Sequence, residues 1–184
     1  GNGEQTKEEV FLVREQALEM GACIITFTEG DPLLREDILE LIRYVNPEKA
    51  VVNLFTPGLE LAPEKAEQLR EAGLYNLLIG IYSSDPEIHD QVRGLPGAHA
   101  KAVEAIKIAL QAGLMVTMTA HINSGQIDRI PDLYQLASDL EVQELSIWEG
   151  VPHTSEDRLS QLEREKILSL YKKINSTPGG PRIF

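Results

Sequence analysis

Residues 98–125 read AHAKAVEAIKIALQAGLMVTMTAHINSG. Ala98 to Ala112 has helical periodicity and stops at Gly113. Leu114 to His121 then reads as a strand, and Asn123, Ser124 and Gly125 follow it. The short continuous apolar run at Ala22–Phe27 is the mark of a strand covered on both faces, as in a parallel sheet flanked by helices. The unit repeats outward in both directions. Upstream, a helix over Thr6–Met20, with Thr6 and Glu9 spaced as a capping box and Gly21 as a stop, leads to a strand over Ala22–Phe27. A helix over Arg35–Val45 leads to a strand over Ala50–Phe55, and a helix over Pro63–Ala72, stopped by Gly73, to a strand over Tyr75–Tyr82. Downstream, Ile130–Leu140 leads to Glu144–Trp148, and a last helix runs from about Ser160 to Ile174. Helix and strand alternating without exception predict βα units wound in one direction, and so an α/β fold with a parallel sheet.

With 184 residues, 42% of them hydrophobic, the chain can bury the core of one domain spanning 1–184. A net charge of −12 opposes nonspecific binding to nucleic acid, which needs clustered Lys and Arg. No apolar stretch reaches the length of a membrane span and no signal peptide opens the sequence, so the expected location is cytoplasmic, with no membrane partner. The single cysteine, Cys23, excludes an internal disulfide; its apolar neighbours predict a small buried core residue.

In parallel α/β folds, binding groups gather where the strands end. Here those positions carry Thr28, Glu29, Gly30 and Asp31; Thr56, Pro57 and Gly58; Gly80, Tyr82, Ser83 and Asp85; His121, Asn123 and Gly125; and Trp148, Glu149 and His153. His121 and Glu149, each ending an apolar strand, are expected to point into or across the mouth of the barrel. Structural roles compete for several of these residues. Gly30, Gly58 and Gly125 suit turns with positive φ, and Asp31-Pro32 and Asp85-Pro86 suit helix starts with a carboxylate cap. His89-Asp90 suits a solvated or capping pair, and Trp148 suits the core.

Several segments resemble the radical S-adenosylmethionine enzymes. Phe27–Arg35 is similar to their Thr-Gly-Gly-Glu-Pro-Leu-Leu-Arg motif, and Phe55-Thr56-Pro57-Gly58 to a Thr-Asn-Gly strand end. Ile81–Gly97 resembles a family segment with a His-Asp-x-x-Arg-Gly-x-Pro-Gly tail; Ala102–Thr117 fits the helix and strand after it. The resemblance runs from about Thr6 to Pro152 and best suits the branch with a C-terminal auxiliary-cluster (SPASM-type) extension, many of whose members modify peptides. It implies a partial parallel (β/α)6 TIM-like barrel that lacks its first strand in this chain. Gly1–Gln5 at one end and Pro181–Phe184 at the other read as unfinished, so truncation at both ends is expected. The resemblance further implies S-adenosylmethionine and a 4Fe-4S cluster in the intact parent. Reductive cleavage there would give a 5′-deoxyadenosyl radical that abstracts hydrogen from a substrate, with a peptide among the substrates this branch implies. By motif position Asp31 would hold the cofactor's amine, with Glu29 and Gly30 beside it. Thr56, Gly58, Gly80 and Tyr82 would lie near the ribose and carboxylate, Ser83 would stand in for a lost polar contact, and His121, Asn123 and Glu149 would line later strand ends.

The family's three-cysteine motif is absent, so the cluster is not expected in this chain, which alone should be inactive. Gly-Gly-Glu has become Glu29-Gly30-Asp31, Pro57 replaces an Asn, and Gly80-Ile81-Tyr82 stands for Ser-x-Asp. These departures leave two other readings open. One is a cluster-free barrel that binds a peptide or small ligand. The other is a metal-dependent hydrolase or isomerase using His121, Glu149 and His153 with Glu29 or Asp31. No catalytic residue and no metal ligand is assigned on the leading reading.

Overall fold

The computed structural model describes residues 5–28, 30–46, 48–150 and 158–184. Helix α1 (Lys7–Glu19) precedes β1 (Ile24–Phe27); a 3-10 turn (Pro32–Leu34) and α2 (Ile38–Val45) lead to β2 (Val51–Thr56). Then come α3 (Pro63–Ala72), β3 (Asn76–Gly80), α4 (Pro86–Arg93), α5 (Ala98–Gln111) and β4 (Met115–Ile122). A 3-10 turn (Ile127–Arg129), α6 (Ile130–Asp139), β5 (Glu144–Glu149), α7 (Gln161–Asn175) and β6 (Arg182–Ile183) complete the order. All strand pairs are parallel, and the strands lie side by side in chain order, β1 to β6. This is the progression of an open (β/α) barrel.

Strand parity divides the sheet into two faces. Val52, Leu54, Leu77, Ile79, Val116, Met118, Ala120 and Leu145 are fully buried and belong to one continuous core. The helices cover that face with Ile38 and Ile42 of α2, Leu69 of α3, Ile106 of α5 and Leu133 of α6. The other face carries Asn53, Phe55, Asn76, Thr117, Thr119, His121, Glu144, Ser146 and Trp148. Phe55 on β2 and Trp148 on β5 bring their ring centroids to 6.2 Å. On a flat sheet, strands three apart would be separated by about 14 Å. The sheet is therefore curled, with this polar face inside. Toward its amino end Asn76 Nδ2 donates to Thr117 Oγ1 at 2.9 Å, and Thr117 Oγ1 lies 3.2 Å from Glu144 Oε2.

Two expectations are corrected at β1. The strand is not covered on both faces, since its residues alternate between exposed and partly buried, and Cys23 is an exposed free thiol. Among the described residues β1 is an edge strand that pairs with β2 alone, and an apolar run at an edge gains neither a second neighbour nor full cover. Pro181–Phe184 does enter a strand: β6 pairs with β5, and Phe184 N–H donates to Leu145 O. The segment left without an assigned helix before Gly94 forms α4, started by Asp85 as N-cap (its carboxylate accepts from Glu87 N–H at 2.9 Å) with Pro86 in the first turn.

Candidate functional site

The carboxyl ends of β1 and β2 are joined by one carboxylate. Asp31 caps the 3-10 turn after β1, accepting at Oδ1 from Leu33 N–H (3.2 Å) and from Thr56 Oγ1 (2.8 Å) at the end of β2. The Thr56 hydroxyl accepts in turn from Gly58 N–H at 3.0 Å. Gly58 has φ +73°, and a Cβ there would meet Ala105 Cβ of α5 at 3.0 Å, so the position requires glycine on two counts. Asp31 is a cap, and among the described residues its second oxygen, Oδ2, accepts no hydrogen bond. Gly30 sits beside it at φ +61° in an exposed turn. Glu29 lies outside the described residues. Gly30 and Asp31 also border a cavity of about 1190 Å3 walled by α1, β1 and α2.

The His-Asp-x-x-Arg-Gly segment is directed at backbone. His89 Nδ1 accepts from Tyr82 N–H at 3.1 Å, fixing the chain just beyond β3. Asp90 accepts from Gly97 N–H and from His99 N–H (2.8 Å), which ties down the first turn of α5. Those two bonds hold its carboxyl below the usual carboxylate range. Arg93, one helical turn after His89, lays its guanidinium 4.6 Å from the Tyr82 ring centroid and donates from Nη2 to Gly80 O at 3.3 Å. A Cβ at Gly80 would lie 2.7 Å from that nitrogen, so Arg93 occupies the inner face of β3 where another residue's side chain would stand. His89 is fully buried and not solvated, a correction to the pair's expected character; only Asp90 has the capping role. Burial, with Arg93 and His99 nearby, pushes the His89 pKa down to about 4. Since Nδ1 accepts, the neutral ring carries its proton on Nε2, which has no partner among the described residues. Ser83 is buried and accepts from Asp85 N–H at 3.1 Å, so its hydroxyl serves the turn.

Aromatic rings connect the strand ends across the mouth. Trp148 neighbours Phe55 and His121 (both 6.2 Å between centroids), His121 neighbours Tyr82 (5.8 Å), and Tyr82 neighbours His89 (5.8 Å). Desolvation and the Arg93 charge lower the His121 pKa, so His121 is neutral at pH 7. Trp148 is 48% exposed, and the expectation of a core residue is corrected: it lies on the inner face of the open sheet, where no helix among the described residues covers it.

Glu149 is likewise corrected. The register pairs His121 with Trp148 and Ile122 with Glu149, which sets His121 and Glu149 on opposite faces. Glu149 turns toward α7, where Arg164 Nη2 lies 2.9 Å from both its oxygens. Asn123, just beyond β4, abuts Gly150, and its Oδ1 is buried without a partner among the described residues. The structure thus gathers Gly80, Tyr82 and His121 at the mouth with Asn123 at its rim. It sets Asp31, Thr56 and Gly58 on the β1–β2 side and withdraws Ser83 and Glu149. Sequence reasoning missed Arg93 and Phe55. The i, i+4 spacing of His89 and Arg93 on one helix was a signal for the first. For Phe55, the parity of β2 was the signal. Among the described residues no three His, Cys, Asp or Glu side chains converge on a point where a metal would fit. His153, part of the metal-dependent reading, lies outside the described residues.

Residues 2–137 match the family described as the Radical SAM superfamily. The chain belongs to this superfamily. It is 29% identical over 169 residues to an AdoMet-dependent heme synthase of Methanosarcina barkeri, covering 90% of this chain and 48% of the relative. It is 28% identical over 144 residues to a PqqA peptide cyclase of Bradyrhizobium diazoefficiens, covering 78% and 38%. The chain therefore spans half or less of the length of these curated relatives. Among solved structures, Streptococcus suis SuiB bound to S-adenosylmethionine superposes with TM-score 0.77 at 14% identity, covering all of this chain and 45% of that one. Methylornithine synthase (PylB) superposes with TM-score 0.71 at 22% identity, covering 91% and 53%. Both likenesses establish the partial TIM-barrel fold.

Radical SAM enzymes use S-adenosylmethionine and a 4Fe-4S cluster. The cluster does not fit the residues of this chain: thiolates must hold it, and Cys23, the one cysteine, stands exposed before the amino end of β1, opposite the rim that carries the mouth. An aminoacyl cofactor does fit the strand ends, where Asp31 Oδ2 is open to an ammonium and the Arg93 guanidinium stands among aromatic rings at the mouth.

Proposed function

We propose that the mouth described above is the S-adenosylmethionine and substrate site of a radical enzyme whose substrate is a peptide. The observation that carries this reading is the hydrogen-bonded series Asp31–Thr56–Gly58, which presents one unengaged carboxylate oxygen at the joined ends of β1 and β2. When bound, S-adenosylmethionine would supply the radical chemistry, given an electron from a cluster that this chain's own residues do not hold. The residues of this chain bind and orient. Asp31 holds an ammonium, oriented by Thr56. Gly58 and Gly80 let backbone approach the ligand, and Arg93 attracts an anionic carboxylate. Phe55, Tyr82, His121 and Trp148 exclude water from the mouth, and Asn123 stands at its edge.

The peptide assignment is supported by the PqqA peptide cyclase relatives and by the likeness to SuiB solved with its precursor peptide SuiA. A second reading, a heme-related substrate, is favoured by the heme synthase relative that spans 90% of the chain. In either reading the protein works in the cytoplasm without nucleic-acid or membrane partners. The net charge of −12 and the exposed free thiol support this, and no helix among the described residues is long and apolar enough to cross a membrane.

Calorimetric titration of the 184-residue chain with S-adenosylmethionine tests the proposal. Saturable binding is expected, weakened roughly tenfold or more in Asp31→Ala and in Arg93→Met, because each removes a charged hydrogen-bonding partner. A parent chain that does not bind, or variants that bind as the parent does, would overturn it. Competition by a peptide against a porphyrin separates the two substrate classes.

A further inference from the structure

Two consecutive residues in the first turn of α7 reach the ends of two adjacent strands. Glu163 completes a capping box, accepting from Ser160 N–H at 2.8 Å and from Ser160 Oγ at 2.7 Å. That arrangement alone would satisfy the helix. The same carboxylate also accepts from Gly125 N–H at 3.0 Å and Ser124 Oγ at 3.1 Å, in the loop that follows β4. Together these donors hold its pKa down to about 2, so it stays charged and bonded at any physiological pH. Arg164, about 100° further round the helix, grips both oxygens of Glu149 at the end of β5. Leu159 N–H adds a third bond to Glu149 at 3.3 Å.

Asn123 lies between the two held points. Its N–H donates to Gln126 Oε1 at 2.9 Å, and Gly150 packs against its side chain so closely that a Cβ on Gly150 would stand 3.1 Å from Asn123 Cγ. Gly150 N–H donates to Ile122 O at 2.9 Å and closes the gap between the strands. Asn123 Oδ1 is left buried without a donor, which native structures seldom tolerate unless the group has a use. Free loops would let the amide turn outward to water. Here the loop after β4 and the end of β5 are fastened to α7.

We propose that Glu163 and Arg164 are positioning residues, which staple the loop after β4 and the end of β5 to α7 and so hold Asn123, through its backbone, at the rim of the mouth. The staple stands on the hydrogen bonds alone. What Asn123 meets rests on the cofactor reading above.

Amide hydrogen exchange of the 184-residue chain, combined with S-adenosylmethionine titration, tests both parts. In Glu163→Gln the Gly125 amide should exchange roughly tenfold faster, because its charged acceptor becomes neutral. Ser160→Ala, which weakens the cap but keeps the carboxylate, should affect only the first turn of α7. Cofactor affinity should fall severalfold in Glu163→Gln and Arg164→Met and hold in Ser160→Ala. Unchanged Gly125 exchange in Glu163→Gln would overturn the staple, as would equal loss of protection in Ser160→Ala. Faster exchange with unaltered affinity would overturn the positioning role. A parent that binds no cofactor would defeat the cofactor reading instead, and the exchange contrast would still decide the staple.

Discussion

Acidifying the protein from pH 6.5 to 4.5 should cost about 2 kcal/mol of stability through His89 alone. The His89 ring is fully buried and accepts the Tyr82 N–H at Nδ1, with Arg93 and His99 beside it and Asp90 the one nearby group that favours its charge. Its pKa in the fold is about 4, against about 6.5 in the unfolded chain. Between those values the unfolded chain takes up a proton that the folded one refuses. Stability is therefore complete above pH 6.5 and falls as pH drops toward 4, at up to about 1.4 kcal/mol per unit. His99 and His121, both also lowered mainly by desolvation, act in the same direction. The depressed carboxylates Asp37, Asp90 and Glu163 begin to lose their contribution as pH reaches their unfolded values, 3.8 for Asp and 4.5 for Glu, so the histidines dominate this window. Urea unfolding followed by the fluorescence of Trp148, the single tryptophan, measures the effect. In His89→Gln, whose side-chain oxygen can still accept the Tyr82 N–H, the loss across the window should shrink by about 2 kcal/mol. Equal losses in parent and variant would refute the reasoning.

Thr56→Val should destabilise the chain by about 1–3 kcal/mol in urea unfolding, because the buried Gly58 N–H loses its acceptor and Asp31 loses a donor; a change within error would mean that water replaces the hydroxyl. The exposed Cys23 should react with one equivalent of a disulfide reagent in the native state at the rate of a small thiol. Reaction only after denaturant is added would show that the start of β1 is covered in solution.

The element order was legible because the chain alternates two periods without ambiguity. Pro63–Ala72 and Ile130–Leu140 carry their own starts and stops, and parallel strands between helices admit few windings. What stayed illegible depended on parity and on neighbours. A strand end marks a residue as near the mouth but does not tell which face it takes, so His121 and Glu149 read alike although one step along β4 and β5 separates their faces. Cys23 read as core because its neighbours are apolar, but burial of a strand is set by what pairs beside it, and that information lies outside its own residues. Arg93 was hidden in a different way: its importance arises from a meeting with Gly80, thirteen positions earlier, across a turn and a helix.

That meeting also explains a departure from the family pattern. Gly80 stands where a serine is usual, and read alone it is the loss of a hydroxyl at the mouth. In the structure the space above Gly80 is filled by the Arg93 guanidinium, which a Cβ would approach to 2.7 Å. A serine at position 80 and this pose of Arg93 exclude each other. The ring of Tyr82, where the pattern has an aspartate, supports the guanidinium from the other side by a cation–π contact. An aspartate there would pair with Arg93 and neutralise it. The two departures thus act together: one removes the side chain that would displace the cation, the other removes the carboxylate that would quench it. What the mouth loses in neutral and acidic contacts at β3 it regains as a positive charge, and on the proposed function the changed residues are a different means of holding an anionic group.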